Sequence, residues 1–512
     1  MRCLPLAAAV LAFAGAAMAD FVIYDPPGIP IVVTLEGKTE KVNRSVKLKT
    51  RVWPDELTFL SDTVTIYKSE PPRDKLVKKV KNLVSDKANP TAEELWTAGK
   101  EALMAGAPGS LFEVMDAMEK KFPAHEPSKI ARTLAPKWEF EIPESESEEP
   151  GLRALVAAKP EMKIHRTPHF LILHDVDTGK KKGEKVSRFQ RRCNLMERVY
   201  KSYLAFLYAN GHAVEPPKER MRVVFFNEQA DFHAVAEQVM KTNNAKQIAG
   251  FYHRTLDASF FYDNASTESY RKMAEASADF EKNKTKYMHG YNPDIIQTLK
   301  MFGALKEIIR EENDMEVVSH EIIHHVSAAT GLMPRDAPCP KWAAEGLATF
   351  FESPSDCTWS GIGAVNQRRL DGFRIGVAAI RNQFDIDVLA HDAAFGTAAR
   401  DFKMMEMAYA HGWSFTHFMM NRRFKQLVGY YKELGKLPRF DLEKLDAKSH
   451  AEYERLQESA FKKSFPDKDW PVLAAEWKIY HNGLKTDFER ASGTAASRRR
   501  PGSATSGGGA KK

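Results

Sequence analysis

The stretch Met315–His325 constrains the fold most, because it predicts one helix with two histidines on a single face. His320 and His324 are four residues apart, and side chains at that spacing stack on one side of an α-helix. Glu321 follows the first histidine directly. The apolar residues of this stretch and its continuation are Val317, Val318, Ile322, Ile323 and Val326. This H-E-x-x-H pattern predicts a buried helix that offers two nitrogen ligands to Zn²⁺, with a carboxylate beside them.

A catalytic zinc usually has three protein ligands, so a third is expected nearby. The loop Gly331–Pro340 leads to a second helical stretch, Lys341–Glu352, in which Glu345 can supply that ligand. His325 is the rival, but it points about 100° away from its neighbour on the helix. We therefore expect His325 to support the site or to lie in the core. Close approach of the two helices is expected at the small residues Ala344, Gly346 and Ala348.

The two motifs, HEIIH at His320–His324 and WAAEGLA at Trp342–Ala348, resemble those of the MA-clan gluzincin metallopeptidases. The chain most resembles an uncharacterised, secreted bacterial branch of that clan, classified as a domain of unknown function. The resemblance implies that zinc is held by both histidines and by Glu345, with Glu321 as general base. Tyr409 or His411, in a Tyr-x-x-Gly segment, would hydrogen-bond the oxyanion of the transition state.

The chain departs from this family in two places. Some gluzincins have a carboxylate one turn after the third ligand, which orients a ligand histidine; here that position is Thr349, and Glu316 is expected to substitute. The family's aminopeptidases also carry a glutamate motif for the substrate amino group, which the strand Ala258–Tyr262 lacks. Asp257 and Asp263 flank that strand and are interpreted as turn residues. We therefore expect an endopeptidase, with Ala258–Tyr262 as the strand that edges the cleft.

The remaining sequence predicts an α+β chain of several parts within its 512 residues. A signal peptide is predicted at 1–19, a small β-module and linker at 20–90, and a helical hairpin with an acidic linker at 91–150. The gluzincin-like domain is predicted at 160–486, with a small mixed lobe and a helical C-terminal lobe, and a disordered basic tail at 487–512. The β-module rests on the strands Phe21–Tyr24, Ile31–Leu35 and Thr63–Tyr67, and Lys75–Leu83 begins its charged linker.

Composition limits the compartment and the partners. The apolar run Leu4–Gly15, followed by Ala17-Met18-Ala19, predicts export, either secreted or to the periplasm and cell envelope. The net charge of +7 comes almost entirely from Arg2 and from five basic residues of the tail, so no nucleic-acid groove is predicted. The sequence leaves open whether the protein has a partner in the cell envelope and whether Cys339 and Cys357 form a disulfide.

Two functions follow from these patterns. The first is a secreted zinc peptidase that acts on polypeptides. The second is a non-catalytic binding or scaffold protein in which zinc ties two helices together. The intact Glu321 favours the peptidase, because a purely structural zinc site more often closes its fourth position with Cys or His.

Overall fold

The fold is taken from a computed structural model. It describes residues 20–25, 33–53, 55–69, 72–85, 87–180, 184–240, 248–290, 293–337, 339–355, 357–376, 382–398, 402–439 and 446–493. The predicted signal peptide lies outside these residues.

The chain begins with the predicted β-module, an antiparallel sheet in the order β4-β3-β2-β1-β5. Alternate residues are buried, as in β4, because one face packs on a core that includes Met301 and Ala304 of a later helix. The module is therefore confirmed, although residues 31–32 of its second predicted strand lie outside the described residues. Its strands are β1 Asp20–Tyr24, β2 Val33–Val42, β3 Ser45–Lys49, β4 Leu57–Leu60 and β5 Val64–Tyr67.

Four helices follow the β-module. The prediction of a charged linker at Lys75–Leu83 is wrong, because those residues belong to α1, whose Val80 is fully buried. The hairpin is confirmed as α2 and α3, and the first of these starts with a capping box between Thr91 and Glu94. The helices are α1 Pro72–Val84, α2 Ala92–Met104, α3 Pro108–Lys121 and α4 Glu126–Trp138.

The next lobe is a mixed sheet in the order β6-β7-β8-β10-β9, and its central pairs are parallel. The strand Ala258–Tyr262 is found as predicted, but the expectation that it forms the edge is wrong. It is β10, and β9 pairs with it and takes the edge position. The elements are α5 Glu148–Ala154, β6 Lys163–Arg166, β7 Phe170–His174, α6 Arg188–Ala209, β8 Met221–Phe226, α7 Gln229–Met240, β9 Gly250–His253 and β10 Ala258–Tyr262.

In the residues that the structure describes, the C-terminal part is helical, as predicted, apart from one hairpin of two short strands. The HEIIH motif lies near the end of α10, a helix of 37 residues, and Glu345 lies on α11. Gly331 follows α10 with φ +75°, a conformation that favours glycine and ends a helix. The elements are α8 Glu268–Lys282, α9 Lys284–Gly290, α10 Pro293–Ala329, α11 Lys341–Thr349, β11 Pro354–Ser355, β12 Thr358–Trp359, α12 Gln367–Ile375, α13 Ile386–Ala390, α14 Ala393–Ala398, α15 Phe402–Arg422, α16 Phe424–Leu434, α17 Ala447–Ser464, α18 Trp470–Asn482 and α19 Asp487–Ser492.

One hydrophobic core crosses the boundary that the sequence predicts between 91–150 and 160–486. Leu95 and Leu111 of the early helices belong to the same buried cluster as Ile323 and Trp477. The backbone also joins the two parts, because Ile362 N–H donates to the Met104 carbonyl at 2.8 Å. The early helices are therefore part of the body that carries the H-E-x-x-H helix.

Three further features concern the tail, the cysteines and the length of the helices. The disordered tail does not begin at residue 487, because α19 is ordered and its Glu489 is buried against Arg374; residues 494–512 lie outside the described residues. Cys339 is free, so the disulfide with Cys357 is not formed. Within the described ranges, every helix is too short or too polar to span a bilayer.

A candidate metal centre

Three side chains from α10 and α11 converge on one point. His320 Nε2 lies 3.0 Å from Glu345 Oε2, and His324 Nε2 lies 3.3 Å from the same oxygen. The two imidazole nitrogens are 3.2 Å apart. These three residues are the ones that the sequence predicts as zinc ligands.

The spacing of these three atoms fits a metal ion. Tetrahedral zinc with bonds of about 2.0–2.1 Å requires ligand atoms roughly 3.3 Å apart. The observed separations of 3.0–3.3 Å match that value. Two imidazoles and a carboxylate are also a donor set that zinc enzymes use.

The protonation of His320 supports a cation at this point. Its Nδ1 lies 2.8 Å from Glu352 Oε2, and an ionised carboxylate can only accept a hydrogen bond. The proton of a neutral His320 is therefore on Nδ1, and the lone pair of Nε2 faces the oxygen of Glu345. Two electron pairs 3.0 Å apart repel each other, so either a proton or a metal cation lies between them. Burial lowers the pKa of His320, but its hydrogen bonds with Glu345 and Glu352 raise it well above the ordinary value, so a proton takes this place when no metal is bound.

Glu352, which the sequence interpretation did not include in the site, fixes the orientation of His320. Its side chain is fully buried, and Arg369 Nε donates to its other oxygen at 2.6 Å. Burial alone raises the pKa of this carboxyl, but the charge of Arg369 and the hydrogen bond from His320 lower it to about 2. Glu352 is therefore ionised at neutral pH. An oriented carboxylate behind a ligand histidine also makes the imidazole a stronger donor.

The expectation that Glu316 orients His320 is wrong. Its carboxylate instead pairs with Arg368 and lies 3.6 Å from Arg369. Glu316 thus supports the arginine that holds Glu352, one step further from the histidine. Glu352 lies beyond the end of α11 at Thr349, so helical spacing from Glu345 gives no indication of it.

Glu321 lies on α10 and faces the edge of the mixed sheet. Its Oε2 accepts a hydrogen bond from the backbone N–H of Tyr252, on β9, at 2.9 Å. Burial is the largest influence on this carboxyl and raises its pKa. A carboxylate with a raised pKa is a better proton acceptor, which suits a general base.

Of the two residues proposed to bind an oxyanion, the structure brings only Tyr409 to the site. Its ring centroid is 6.2 Å from that of His320, and the guanidinium of Arg369 lies 5.2 Å above the ring. His411 is buried elsewhere, with Nε2 3.0 Å from the Gln383 carbonyl. The charge of Glu345, followed by burial, raises the pKa of Tyr409, so its phenol is protonated and can donate.

His325 points away from the ligand cluster, as expected from its helical position. Its Nδ1 lies 3.0 Å from Ser259 Oγ on β10, and its ring stacks on Tyr252 at 4.7 Å between centroids. Burial lowers the pKa of His325 to about 4, so it is neutral at physiological pH. It therefore packs α10 against the sheet.

Two contacts position α11, which carries Glu345. Asp392 accepts hydrogen bonds from the first backbone amides of the helix, Lys341 N at 2.6 Å and Trp342 N at 3.1 Å. Gly346 faces α15, where an added Cβ would lie 2.8 Å from the Gly412 carbonyl. The expectation that Gly346 allows α11 to approach the H-E-x-x-H helix closely is therefore wrong. Gly346 instead allows α11 to approach α15.

Comparison with known proteins gives one match. A family described as a protein of unknown function (DUF1570) matches residues 314–441, which include the three converging residues, Glu321, Glu352, Arg369 and Tyr409. No curated protein and no solved structure matches the chain. The expectation of a domain of unknown function is thus confirmed for this segment, while membership of the gluzincins stays a prediction. The segment that matches the family is the one that contains the predicted ligands and base.

Proposed function

We propose that this chain is an exported zinc-dependent peptidase that cuts within extended polypeptides. The observation that carries the proposal is the convergence of His320, His324 and Glu345, whose ligand atoms lie 3.0–3.3 Å apart. Glu321 lies on the same turn of α10, in the position from which a general base acts in H-E-x-x-H enzymes.

These three residues would hold the zinc ion. When bound, Zn²⁺ supplies a Lewis acid that polarises a carbonyl group and lowers the pKa of water. Among the described residues, no fourth His, Cys, Asp or Glu joins the group. Structural zinc sites normally have four protein ligands, whereas catalytic sites keep one position open. The ligand count therefore favours hydrolysis over the zinc-scaffold alternative.

Glu321 is assigned the proton transfers of the reaction. Its carboxylate takes a proton from the attacking water and then delivers it to the leaving amine nitrogen. The hydrogen bond from Tyr252 N–H holds one of its oxygens, Oε2, so that the other can face the water. The raised pKa of Glu321 makes it a stronger base for the first of these transfers.

Tyr409 is assigned to the oxyanion. Its phenol is protonated, because the charge of Glu345 and burial both raise its pKa. A phenol that donates to the developing negative charge stabilises the transition state more than the substrate. The ring is fixed by the Arg369 guanidinium above it and by Phe395, whose centroid lies 5.3 Å away.

The class of substrate follows from the sheet edge. β9 is the outermost strand of its sheet among the described residues, and it borders the site through Tyr252. An edge strand can pair with an extended peptide, and here it would do so through the outward backbone groups other than Tyr252 N–H, which is already bound to Glu321. We therefore assign polypeptides in extended conformation as the substrate.

The carboxylates near this edge favour internal cleavage, because both are already paired. Asp257 accepts hydrogen bonds from Arg335 Nη1 and from the Tyr252 hydroxyl, both at 2.7 Å. Asp263 pairs with Arg188 and with Arg310. Both carboxylates are thus already neutralised, and neither is available for a substrate's α-amino group.

Matched peptides test this assignment. We expect an N-acetylated peptide to be cleaved at about the same kcat/KM as its free-amine counterpart, because no charge contact is lost on acetylation. Mass spectrometry of the products locates the cut. A strong requirement for the free amine would contradict the endopeptidase assignment.

The zinc requirement is tested on the wild-type protein with denatured casein as substrate. We expect cleavage that stops with 1,10-phenanthroline and returns with added zinc, because all three ligands must hold the ion. The non-chelating isomer 1,7-phenanthroline is the control. A protein that binds zinc stoichiometrically but cleaves no unfolded polypeptide would favour the scaffold alternative.

A further inference from the structure

A second site is indicated by a large cavity that lies apart from the metal centre. It has a volume of about 1960 Å³ and lies among the β-module and the helices α1, α2, α6, α10 and α19. His320, His324, Glu345 and Tyr409 are not among its lining residues. The cavity therefore needs an explanation other than the proposed hydrolysis.

Much of the charge in this cavity is already paired. Arg188 and Arg192 contact Asp263 and Asp314, and Arg191 contacts Glu311 with its Nε at 3.0 Å. These side chains form an internal salt-bridge network that joins α6 to α10. Their charges are balanced within this network, so they need no external ligand.

Arg198 differs from those arginines. It lies on α6 and lines the cavity, yet no carboxylate or other acceptor among the described residues contacts its guanidinium. Burial and the nearby guanidinium of Arg73 lower the pKa of Arg198 to about 10. A half-buried cation beside a second cation is unfavourable unless an anion joins them.

Arg73 adds to this positive region. It lies in the first turn of α1, where the helix dipole is positive and a cation is unfavourable. Asp74 offsets part of its charge, and the guanidinium of Arg51, in the loop between β3 and β4, is near enough to oppose it. Arg51, Arg73 and Arg198 come from three different parts of the chain and all line the cavity, as does Asp74.

We propose that Arg73 and Arg198 bind the oxyanion of an organic phosphate or sulfate ester in this cavity. Guanidinium groups match tetrahedral oxyanions because their planar N–H forks donate two parallel hydrogen bonds. The N-terminal end of α1 favours the same negative charge. A ligand here neutralises both cations at once.

The organic part of the ligand is inferred from the size and the apolar side of the cavity. A phosphate ion alone leaves most of about 1960 Å³ empty. Trp53, Val77 and Met104 contribute apolar surface to the same lining. A ring or chain attached to the oxyanion can lie against these side chains, which gives an ester higher affinity than the inorganic ion.

The test is calorimetric titration of the full chain with inorganic phosphate, inorganic sulfate and phenyl phosphate, at a constant ionic strength set with chloride. We expect saturable binding of phosphate or sulfate, and tighter binding of phenyl phosphate. Arg198→Gln and Arg73→Gln should each weaken binding about tenfold or more, because each removes a charge-assisted contact. Arg455→Gln, an exposed change of the same charge on α17, should leave affinity unchanged.

Thermal unfolding in chloride alone separates ligand binding from a structural role. We expect Arg198→Gln to keep or raise the wild-type Tm, because it removes an uncompensated charge, and to lose the Tm gain that phenyl phosphate gives the wild type. The proposal fails if wild type gains no stability from phosphate, sulfate or phenyl phosphate. It also fails if Arg198→Gln and Arg73→Gln bind as well as Arg455→Gln, or if phenyl phosphate binds no more tightly than the inorganic ion.

Discussion

At the scale of single residues, the candidate centre depends on how His320 is oriented as much as on the three ligands. Glu352 holds the Nδ1 side of the ring at 2.8 Å, and Arg369 holds Glu352. The ligand nitrogen therefore faces Glu345 before any ion binds. Because the ring is already oriented, zinc binding would cost less conformational entropy.

The substitution Glu352→Gln tests this role. We expect zinc affinity to fall about tenfold to a hundredfold, because the histidine loses its carboxylate partner while all three ligands remain. The affinity is measured by competition with a chromophoric chelator. Glu452→Gln, on the exposed side of α17, is the matched control. Equal zinc affinity in the two variants would show that Glu352 does not orient the ligand.

The sequence alone could predict His320, His324 and Glu345 but not Glu352. The first two share one helical face, and the third lies in a recognisable second motif, so local periodicity places them. Glu352 depends on where α11 ends. The helix stops at Thr349, and the chain that follows turns Glu352 back toward His320, which helical spacing from Glu345 cannot show.

At the scale of elements, the position of Glu345 is set by how closely α11 packs on α15. Gly346 and Gly412 meet at this contact, because a Cβ on Gly346 would lie 2.8 Å from the Gly412 carbonyl. Asp392 fixes the other end of the helix by accepting from its first amides. A shift of α11 would move Glu345 away from both histidines.

A pair of glycine substitutions tests this packing. Gly346→Ala should lower the free energy of unfolding by about 1–3 kcal/mol, because the helices must separate to admit the methyl group. Gly429→Ala, in α16, meets no atom within 4 Å and should instead raise it by about 0.5–1 kcal/mol. Urea unfolding measures both. A stability gain for Gly346→Ala would contradict the close approach.

Strand positions could be predicted from the sequence, but strand order could not. The run at β10, Ala258–Tyr262, is mostly apolar and fully buried, so its limits were predicted to the residue. β9 is short and reads Gly-Phe-Tyr-His, which carries little strand signal. Whether β9 or β10 takes the edge depends on pairing between strands, which the pattern within one strand cannot show.

At the scale of the whole molecule, the early helices complete the core of the body that carries the site. Leu95 and Leu111 are fully buried in the cluster that also contains Ile323. Local patterns predicted these helices as a separate hairpin. Contacts between distant parts of the chain, such as the hydrogen bond from Ile362 N–H to the Met104 carbonyl, join these helices to the rest of the body instead.

Truncation tests this account of the core. The fragment 160–486 should aggregate or unfold without cooperativity, whereas 20–493 should unfold cooperatively. Each large apolar side chain contributes about 1.5–3 kcal/mol on burial. The free energy lost when several of them are exposed exceeds the usual free energy of unfolding of a protein, about 5–15 kcal/mol. Circular dichroism during urea unfolding compares the two, and a soluble, cooperative fragment would show that the hairpin is a separate domain.

The central claim is that His320, His324 and Glu345 hold zinc while Glu321 transfers the proton. It is tested most directly by measuring zinc content and casein turnover on the same preparations of wild type and Glu321→Gln, with Glu452→Gln as the matched control. We expect all three proteins to hold equal zinc, and Glu321→Gln alone to lose about 10²–10⁴-fold in turnover, because only the base is removed. Wild-type turnover in Glu321→Gln, or wild-type protein that binds no zinc, would contradict the account.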